Sequence, residues 1–251
     1  MAARRRLDAE LLRRDLAPSR TFAQQLIEAN RVFVNGAVAA KASRQVSPGD
    51  AIVVDGPPAR FVGRGAEKLE HALAEFNLDV AGLRLLDAGA STGGFTDCAL
   101  QRGATEVVAV DVGHGQLHER LRSDERVINL ERQNIRAVDV GVIGGLVDGV
   151  VGDLSFISLR LVIAPVVAVC KPGGFMVLLV KPQFEAGRTE VSRGRGIVTD
   201  PAIHERVRNE IDDALVKAGC TVAGWTTSPI TGADGNVEFL VHAITPTVDA
   251  I

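Results

Sequence analysis

Between residues 83 and 180 strand-like and helix-like stretches alternate, and no other feature of the chain constrains its fold as much. Apolar runs at 83–87, 106–111, 127–130, 149–153 and 175–180 are separated by helix-like stretches at 93–102, 116–121 and 157–169. Alternation of this kind predicts a parallel, doubly wound α/β sheet with its crossovers on both faces. A helix at 201–218 and two strands at 221–226 and 237–244 follow. The Gly/Asp/Asn-rich loop between those strands predicts an antiparallel pair.

Upstream the pattern changes. Leu7, Leu11, Leu12 and Leu16 recur at near-helical spacing, and a second helix can start at Ser19 or Thr21, where Gln24 completes a capping box after Thr21. Phe22, Leu26 and Ile27 give that helix its apolar face. Residues 31–39 read as two short strands around the Asn35-Gly36 turn, and Ser47-Pro-Gly-Asp50 precedes another strand at 51–54. This is a small α+β helix-helix-hairpin module. The run Asp55-Gly-Pro-Pro58 then punctuates the chain before a connector and an amphipathic helix holding Leu69, Ala72, Leu73 and Phe76. The expected division is a domain at 1–59, a linker at 60–63 and a domain at 64–251.

Charge divides the same way. Residues 1–47 carry nine Lys/Arg against four Asp/Glu, whereas the whole 251-residue chain has a net charge of −3. A basic module on an acidic body fits an anionic partner. With 46% apolar residues the chain can bury a core, and its longest apolar runs, 161–170 and 173–180, fall short of the about 20 residues of a membrane span. The residues after Met1 are Arg-rich and lack an apolar signal region, which predicts a cytoplasmic protein. Cys98, Cys170 and Cys220 are scattered and odd in number, so they are expected to be buried thiols. The His114/His118 pair lacks a third ligand, and no metal is expected.

The first strand of the sheet runs into Asp87-Ala-Gly89-Ala-Ser91-Thr92-Gly93-Gly94-Phe95, a glycine-rich turn ahead of a helix. Glycines there allow a ligand close to the backbone, at the carboxyl ends of strands where doubly wound sheets bind their ligands. The second strand ends in Asp111, whose carboxylate can accept hydrogen bonds from ribose hydroxyls. The spacing is not the dinucleotide G-x-G-x-x-G and lacks the G-K-[ST] of a phosphate loop, which favours S-adenosylmethionine over a pyrophosphate ligand. A merely tight strand-helix turn is the other reading of the glycines. Cofactor-binding candidates are Gly89, Ser91, Thr92, Gly93, Gly94 and Asp111, with Asn134.

Charged residues stand beside the same strands: Lys68 in the helix before the sheet, Asp153 and Lys181 ending apolar runs, and Glu238 opening the last strand. One charge after an apolar run can simply mark where the chain meets solvent. Neighbouring strand ends, however, face one crevice. Two lysines and two carboxylates gathered there would titrate as a coupled group, and Lys181 could accept a hydroxyl proton beside a methyl sulfonium.

These residues carry a family resemblance. The opening stretch, Arg6-Leu-Asp8 through Leu26-Ile27 to Val34-Asn-Gly36, is similar to the small RNA-binding domain first seen in ribosomal protein S-four. The remainder resembles an FtsJ-type methyltransferase, and the two in this order resemble the TlyA family of ribosomal RNA 2'-O-methyltransferases, also called hemolysins. The most specific stretches are Arg64-Gly-Ala-Glu-Lys-Leu69, Asp87 to Asp97, Asp111-Val-Gly-His-Gly-Gln-Leu117, Gly152-Asp-Leu-Ser-Phe-Ile-Ser158, Val180-Lys-Pro-Gln-Phe-Glu185, Ser228-Pro-Ile-Thr-Gly232 and Gly235-Asn-Val-Glu238. The resemblance implies a Rossmann-like class I domain that uses S-adenosylmethionine and a Lys-Asp-Lys-Glu tetrad at Lys68, Asp153, Lys181 and Glu238. Strand-end position supports Asp153 and Lys181, while Lys68 and Glu238 rest chiefly on the resemblance. It also implies a cytidine substrate in large-subunit ribosomal RNA, with small-subunit ribosomal RNA as a second candidate. His114 stands where the family has a tyrosine, a departure local to the cofactor loop.

RNA recognition needs phosphate contacts and a way to expose the target nucleotide. Arg4, Arg6, Arg20 and Lys41 in the basic module are candidates for the first, with Arg132 and Arg136 beside the active site. Phe156 can stack on a flipped base or serve as core beside Leu154 and Ile157. The loop 188–195 can close over RNA or be an ordinary surface loop. The expected partners are ribosomal RNA and ribosomal subunits, and the chain is expected to be a monomer. The rival readings are a pore-forming hemolysin, an RNA-binding module with an inactive transferase fold, and a methyltransferase of small molecules or proteins. The last leaves the basic module without a purpose.

Overall fold

The computed structural model describes residues 4–17, 20–56, 60–232 and 235–247, so the proposed Ser19 start lies outside the described residues. The chain divides into two units between Gly63 and Arg64.

In the first unit, helices α1 (Leu7–Arg13) and α2 (Arg20–Glu28) precede β2 (Val32–Val34), β3 (Ala37–Val38) and β5 (Ile52–Val54), and the two-residue strands β1 (Arg5–Arg6) and β4 (Gln45–Val46) pair with each other. Strand β2 is the centre of the order β3-β2-β5, with Phe33 opposite both Val38 and Val53. Asn35 and Gly36 turn with positive φ, as an Asn-Gly hairpin requires. The core gathers Leu7, Leu11, Leu26, Ile27, Val32 and Val34. Two of the helix-spaced leucines depart from the expectation: Leu12 is exposed, and Leu16 follows Asp15, whose φ of 56° ends the helix before it.

In the second unit, α3 (Gly65–Glu75) leads into β6 (Arg84–Ala88), α4 (Gly94–Gln101), β7 (Glu106–Asp111), α5 (Glu119–Arg122), β8 (Val127–Glu131), α6 (Val140–Ile143) and β9 (Val147–Gly152). There follow α7 (Ile163–Val169), β10 (Cys170–Val180), α8 (Pro182–Glu185), α9 (Arg188–Arg193), α10 (Pro201–Lys217), β11 (Thr221–Thr227) and β12 (Phe239–Ile244). The sheet order is β11-β12-β10-β9-β6-β7-β8. Strands β10, β9, β6, β7 and β8 are parallel, and β12 and β11 continue the sheet antiparallel. The sheet is therefore doubly wound, with its order reversing at β6/β9. Val150, Val151, Leu85, Leu86, Val107 and Val108 on the central strands are fully buried, which is why their sequence reads as unbroken apolar runs.

Four elements differ from the sequence expectation, the first being the expected loop at 188–195, where Arg188–Arg193 forms helix α9. The single helix expected over 157–169 is a 3-10 turn, Leu159–Leu161, capped by the Ser158 hydroxyl, followed by α7. Pro165 sits in the first turn of α7, where its missing N–H costs nothing, but it cannot lie deep in one continuous helix. Helix α5 starts three residues late because the His118 side chain accepts from the Arg120 N–H and caps it there. Strand β10 begins before the expected Phe175, with its register against β9 shifting between Cys170 and Phe175. No helix among the described residues is long and apolar enough to cross a membrane.

Candidate active site

The ends of β6, β7, β9 and β10 surround a groove. Gly89, directly after β6, has φ +86°, and a Cβ there would lie 2.8 Å from the Asp153 carbonyl oxygen, so only glycine lets the turn pass β9 this closely. One cleft of about 300 Å³ is lined by Gly89, Ser91, Asp111, Val112, Gln133, Ile135 and Asp153. A second of about 180 Å³ shares Gly89, Ser91, Asp153 and Ser155 with it and adds Thr92, Gly94 and Lys181. Gly93, at φ +96°, is the N-cap residue of α4 and lines neither cleft; a Cβ there would meet the side chains of Leu117 and Leu121.

Asp111 does more than the sequence suggests. Its Oδ2 accepts from the Ser91 N–H at 2.8 Å and its Oδ1 from the Gly113 N–H at 2.7 Å, which fixes the glycine-rich turn against the loop after β7. Each oxygen keeps a lone pair for a ribose hydroxyl. With the apolar Val112 and Ile135 walls, this donor and acceptor set fits the nucleoside part of S-adenosylmethionine. The Asn134 side chain instead caps the 3-10 turn after β8 by accepting from the Arg136 N–H, while its neighbours Gln133 and Ile135 line the cleft. His114 Nδ1 lies 2.6 Å from Glu131 Oε2, on the exposed side of that loop.

The four charged candidates meet. Helix α3 packs on α4 and brings Lys68 to the groove, where its Nζ donates to Glu238 Oε2 at 2.6 Å and lies 3.8 Å from Asp153 Oδ2. On the other side Lys181 Nζ forms an ion pair with Asp153 Oδ1 at 2.6 Å and donates to Ser155 Oγ at 2.8 Å. Asp153 thus lies between two ammonium groups. Lys68, Lys181 and Glu238 are all buried. Breaking such a pair from one side leaves a charge uncompensated, at a cost of roughly 3–5 kcal/mol. Lys68→Met is therefore expected to lower stability by about that amount in denaturant unfolding, and Lys68→Met with Glu238→Leu to recover much of it. A single variant as stable as the native chain would contradict the pairing.

Two contributors escaped the sequence reading. Ser155 is one; the other is Asp87, wholly buried at the end of β6. Asp87 Oδ2 accepts from the Thr96 N–H at 2.9 Å and hydroxyl at 2.6 Å, while among the described residues Oδ1 has no hydrogen-bond partner. Burial pushes its carboxyl up to about 7, the charges of Asp153 and Asp111 add to the rise, and the Thr96 bonds oppose it. Because folding favours the protonated form, Asp87 subtracts stability progressively as pH rises from about 4 to about 7, and by a constant amount above that. A carbon-detected NMR titration is expected to place its midpoint near 7; an ordinary carboxylate midpoint would contradict the burial account.

The RNA candidates are dispersed. Arg6 forms a fork on Asp8 at 3.0 and 2.9 Å, and Arg20 Nε reaches the same carboxylate at 3.0 Å. Asp8 is fully buried, and these arginines hold its carboxyl well below the usual range. Both guanidinium groups are thus set in place and about half exposed. Arg4 and Lys41 are exposed in the same unit, and Arg132 and Arg136 flank the cleft residues Gln133 and Ile135. Phe156 settles one open choice: it is 91% exposed and so is not core, and its φ of 64° is strained for an aromatic residue. Among the described residues no group of His, Cys, Asp and Glu could hold a metal ion.

Comparison with known proteins gives the family of the chain. Residues 61–244 match the model of the FtsJ-like methyltransferase family, and residues 5–52 match the S4 domain. Over 252 aligned residues, covering 100% of this chain and 94% of the relative, it is 47% identical to a Mycobacterium tuberculosis protein named 16S/23S rRNA (cytidine-2'-O)-methyltransferase TlyA. It is 40% identical, over 95% of this chain and 99% of the relative, to Hemolysin A of Brachyspira hyodysenteriae. A solved structure of a putative hemolysin from Streptococcus thermophilus superposes with a TM-score of 0.78 at 40% identity, covering 99% of this chain and 92% of that one. The chain belongs to the FtsJ-like methyltransferase family and carries an S4 domain ahead of its methyltransferase domain.

Proposed function

We propose that the protein transfers a methyl group from S-adenosylmethionine to the 2'-oxygen of cytidine in ribosomal RNA. The observation that carries this reading is the position of Lys181, 2.6 Å from Asp153 and bordering the cleft that also holds the glycine-rich turn. When bound, the cofactor supplies an electrophilic methyl on a sulfonium. Gly89, Ser91, Thr92, Gly93, Gly94 and Asp111 would hold it, and Lys181, entering the step as the neutral amine, takes the proton from the 2'-hydroxyl as that oxygen bonds the methyl; the C–S electron pair leaves with the sulfur as a neutral thioether, and Lys181 ends as the ammonium that Asp153 pairs with. Asp153 orients Lys181, while the Lys68–Glu238 pair fixes Asp153 from the other side. The relative named for cytidine 2'-O-methylation supports the nucleotide and the site on it.

The domain division that goes with this reading is 1–59, a linker at 60–63 and 64–251. Arg4, Arg6, Arg20 and Lys41 meet phosphates in the first unit, Arg132 and Arg136 meet phosphates beside the groove of the second, and Phe156 stacks on the exposed base. Ribosomal subunits as substrate place the protein in the cytoplasm. The test is transfer of labelled methyl from S-adenosylmethionine to purified, unmodified subunits. Label in ribosomal RNA is the expected result, and none, despite measurable cofactor binding, would move the substrate elsewhere.

A further inference from the structure

Beside the tetrad lies a third cleft, of about 560 Å³, lined by Phe156, Ile157, Gln183, Phe184, Val191 and Ser192 among others. The Phe156 and Phe184 rings meet at 5.2 Å between centroids, and Lys181 Nζ is 5.8 Å from the Phe184 centroid. Two hydrogen bonds tie the wall together. Glu185 accepts from the Ser158 hydroxyl at 2.5 Å and the Leu159 N–H at 2.7 Å, clamping the segment after Phe156 to the turn that carries Gln183 and Phe184. Within it Gln183 Oε1 is buried and, among the described residues, accepts no hydrogen bond. A buried acceptor without a donor costs about 1–3 kcal/mol, a cost that an entering donor relieves.

We infer that Gln183 reads the base of the target nucleotide, its side-chain oxygen accepting from the exocyclic 4-amino group of cytosine. This rests on the ribose-methylation reading above. Cytosine offers that N–H donor where uracil presents an oxygen, so an acceptor at this place favours cytidine and sets two lone-pair oxygens against each other with uridine. Gln183 is also only two residues from Lys181, so the group that reads the base and the group that takes the 2'-proton sit on one turn.

The experiment compares wild type, Gln183→Leu and Gln183→Glu on two substrates. One is unmodified ribosomal subunits, and the other is the same subunits with the mapped target cytidine mutated to uridine. Wild type is expected to prefer cytidine in kcat/KM. Gln183→Leu should lower the cytidine value roughly tenfold and collapse the cytidine-to-uridine ratio, with cofactor affinity unchanged. Gln183→Glu, which can still accept but no longer donate, should keep the preference. An unchanged ratio in Gln183→Leu, with wild type active on cytidine, would overturn the role of Gln183 alone. A wild type that binds cofactor yet labels neither substrate would overturn the methylation reading and this inference with it.

Discussion

Lys181→Ala is expected to lose methyl transfer by a factor of about 10²–10⁴ in kcat while binding S-adenosylmethionine as the native chain does. The factor is what a positioned proton acceptor contributes. Cofactor binding should be spared because Lys181 reaches the groove from the end of β10, whereas the nucleoside contacts proposed above fall on the loop around Asp111. The fold should survive as well. Removing Lys181 leaves Asp153 within 3.8 Å of Lys68 and 23% exposed at its side chain, so its charge keeps a partner and some contact with water. Single-turnover transfer with calorimetric cofactor titration separates the two effects. A variant with native turnover would remove Lys181 from the chemistry, and one that had also lost cofactor affinity would make it a structural residue.

Gly89→Ala is expected to weaken cofactor binding at least tenfold and to abolish activity with it. Two costs combine. The φ of +86° strains any residue with a Cβ by about 1–2 kcal/mol. The new methyl also meets the Asp153 carbonyl at 2.8 Å and Leu154 Cδ2 at 3.0 Å, so the turn, or the end of β9 that carries Asp153, must move. Gly82→Ala separates the two: Gly82 has φ +77° with nothing within 4 Å of an added Cβ, so it suffers the strain without the clash. Both variants should melt a few degrees lower, at about 2–4 °C per kcal/mol for a chain of this size. Only Gly89→Ala should lose the cofactor. Equal cofactor affinity in both would contradict the close approach of turn and strand end.

How much of this was legible in the sequence depends on which residues carry information along the chain. Strands β6, β7 and β9 are buried on both faces, so apolar runs at 83–87, 106–111 and 149–153 marked them to within two residues. The glycine-rich turn and Asp111 were legible because doubly wound sheets place such residues at strand ends. Lys68 and Glu238 were reached chiefly through the family resemblance, since they stand 170 residues apart and meet only when α3 folds back on the groove and β12 pairs with β10. Gln183 and Asp87 show why the rest was hidden. Each matters through an oxygen left without a donor, a property of three-dimensional burial that no spacing or composition expresses. The basic module shows the opposite case: nine cations marked it, but Arg6 and Arg20 converge on the buried Asp8, which the charge count treats as a simple offset.

The identity of the methylated atom decides between the readings most directly. Subunits incubated with the protein and S-adenosylmethionine should be digested to nucleosides and analysed by mass spectrometry, with Lys181→Ala in parallel. The prediction is 2'-O-methylcytidine from the native chain and none from Lys181→Ala. A methyl group on a base, or 2'-O-methylcytidine formed equally by the variant, would contradict it.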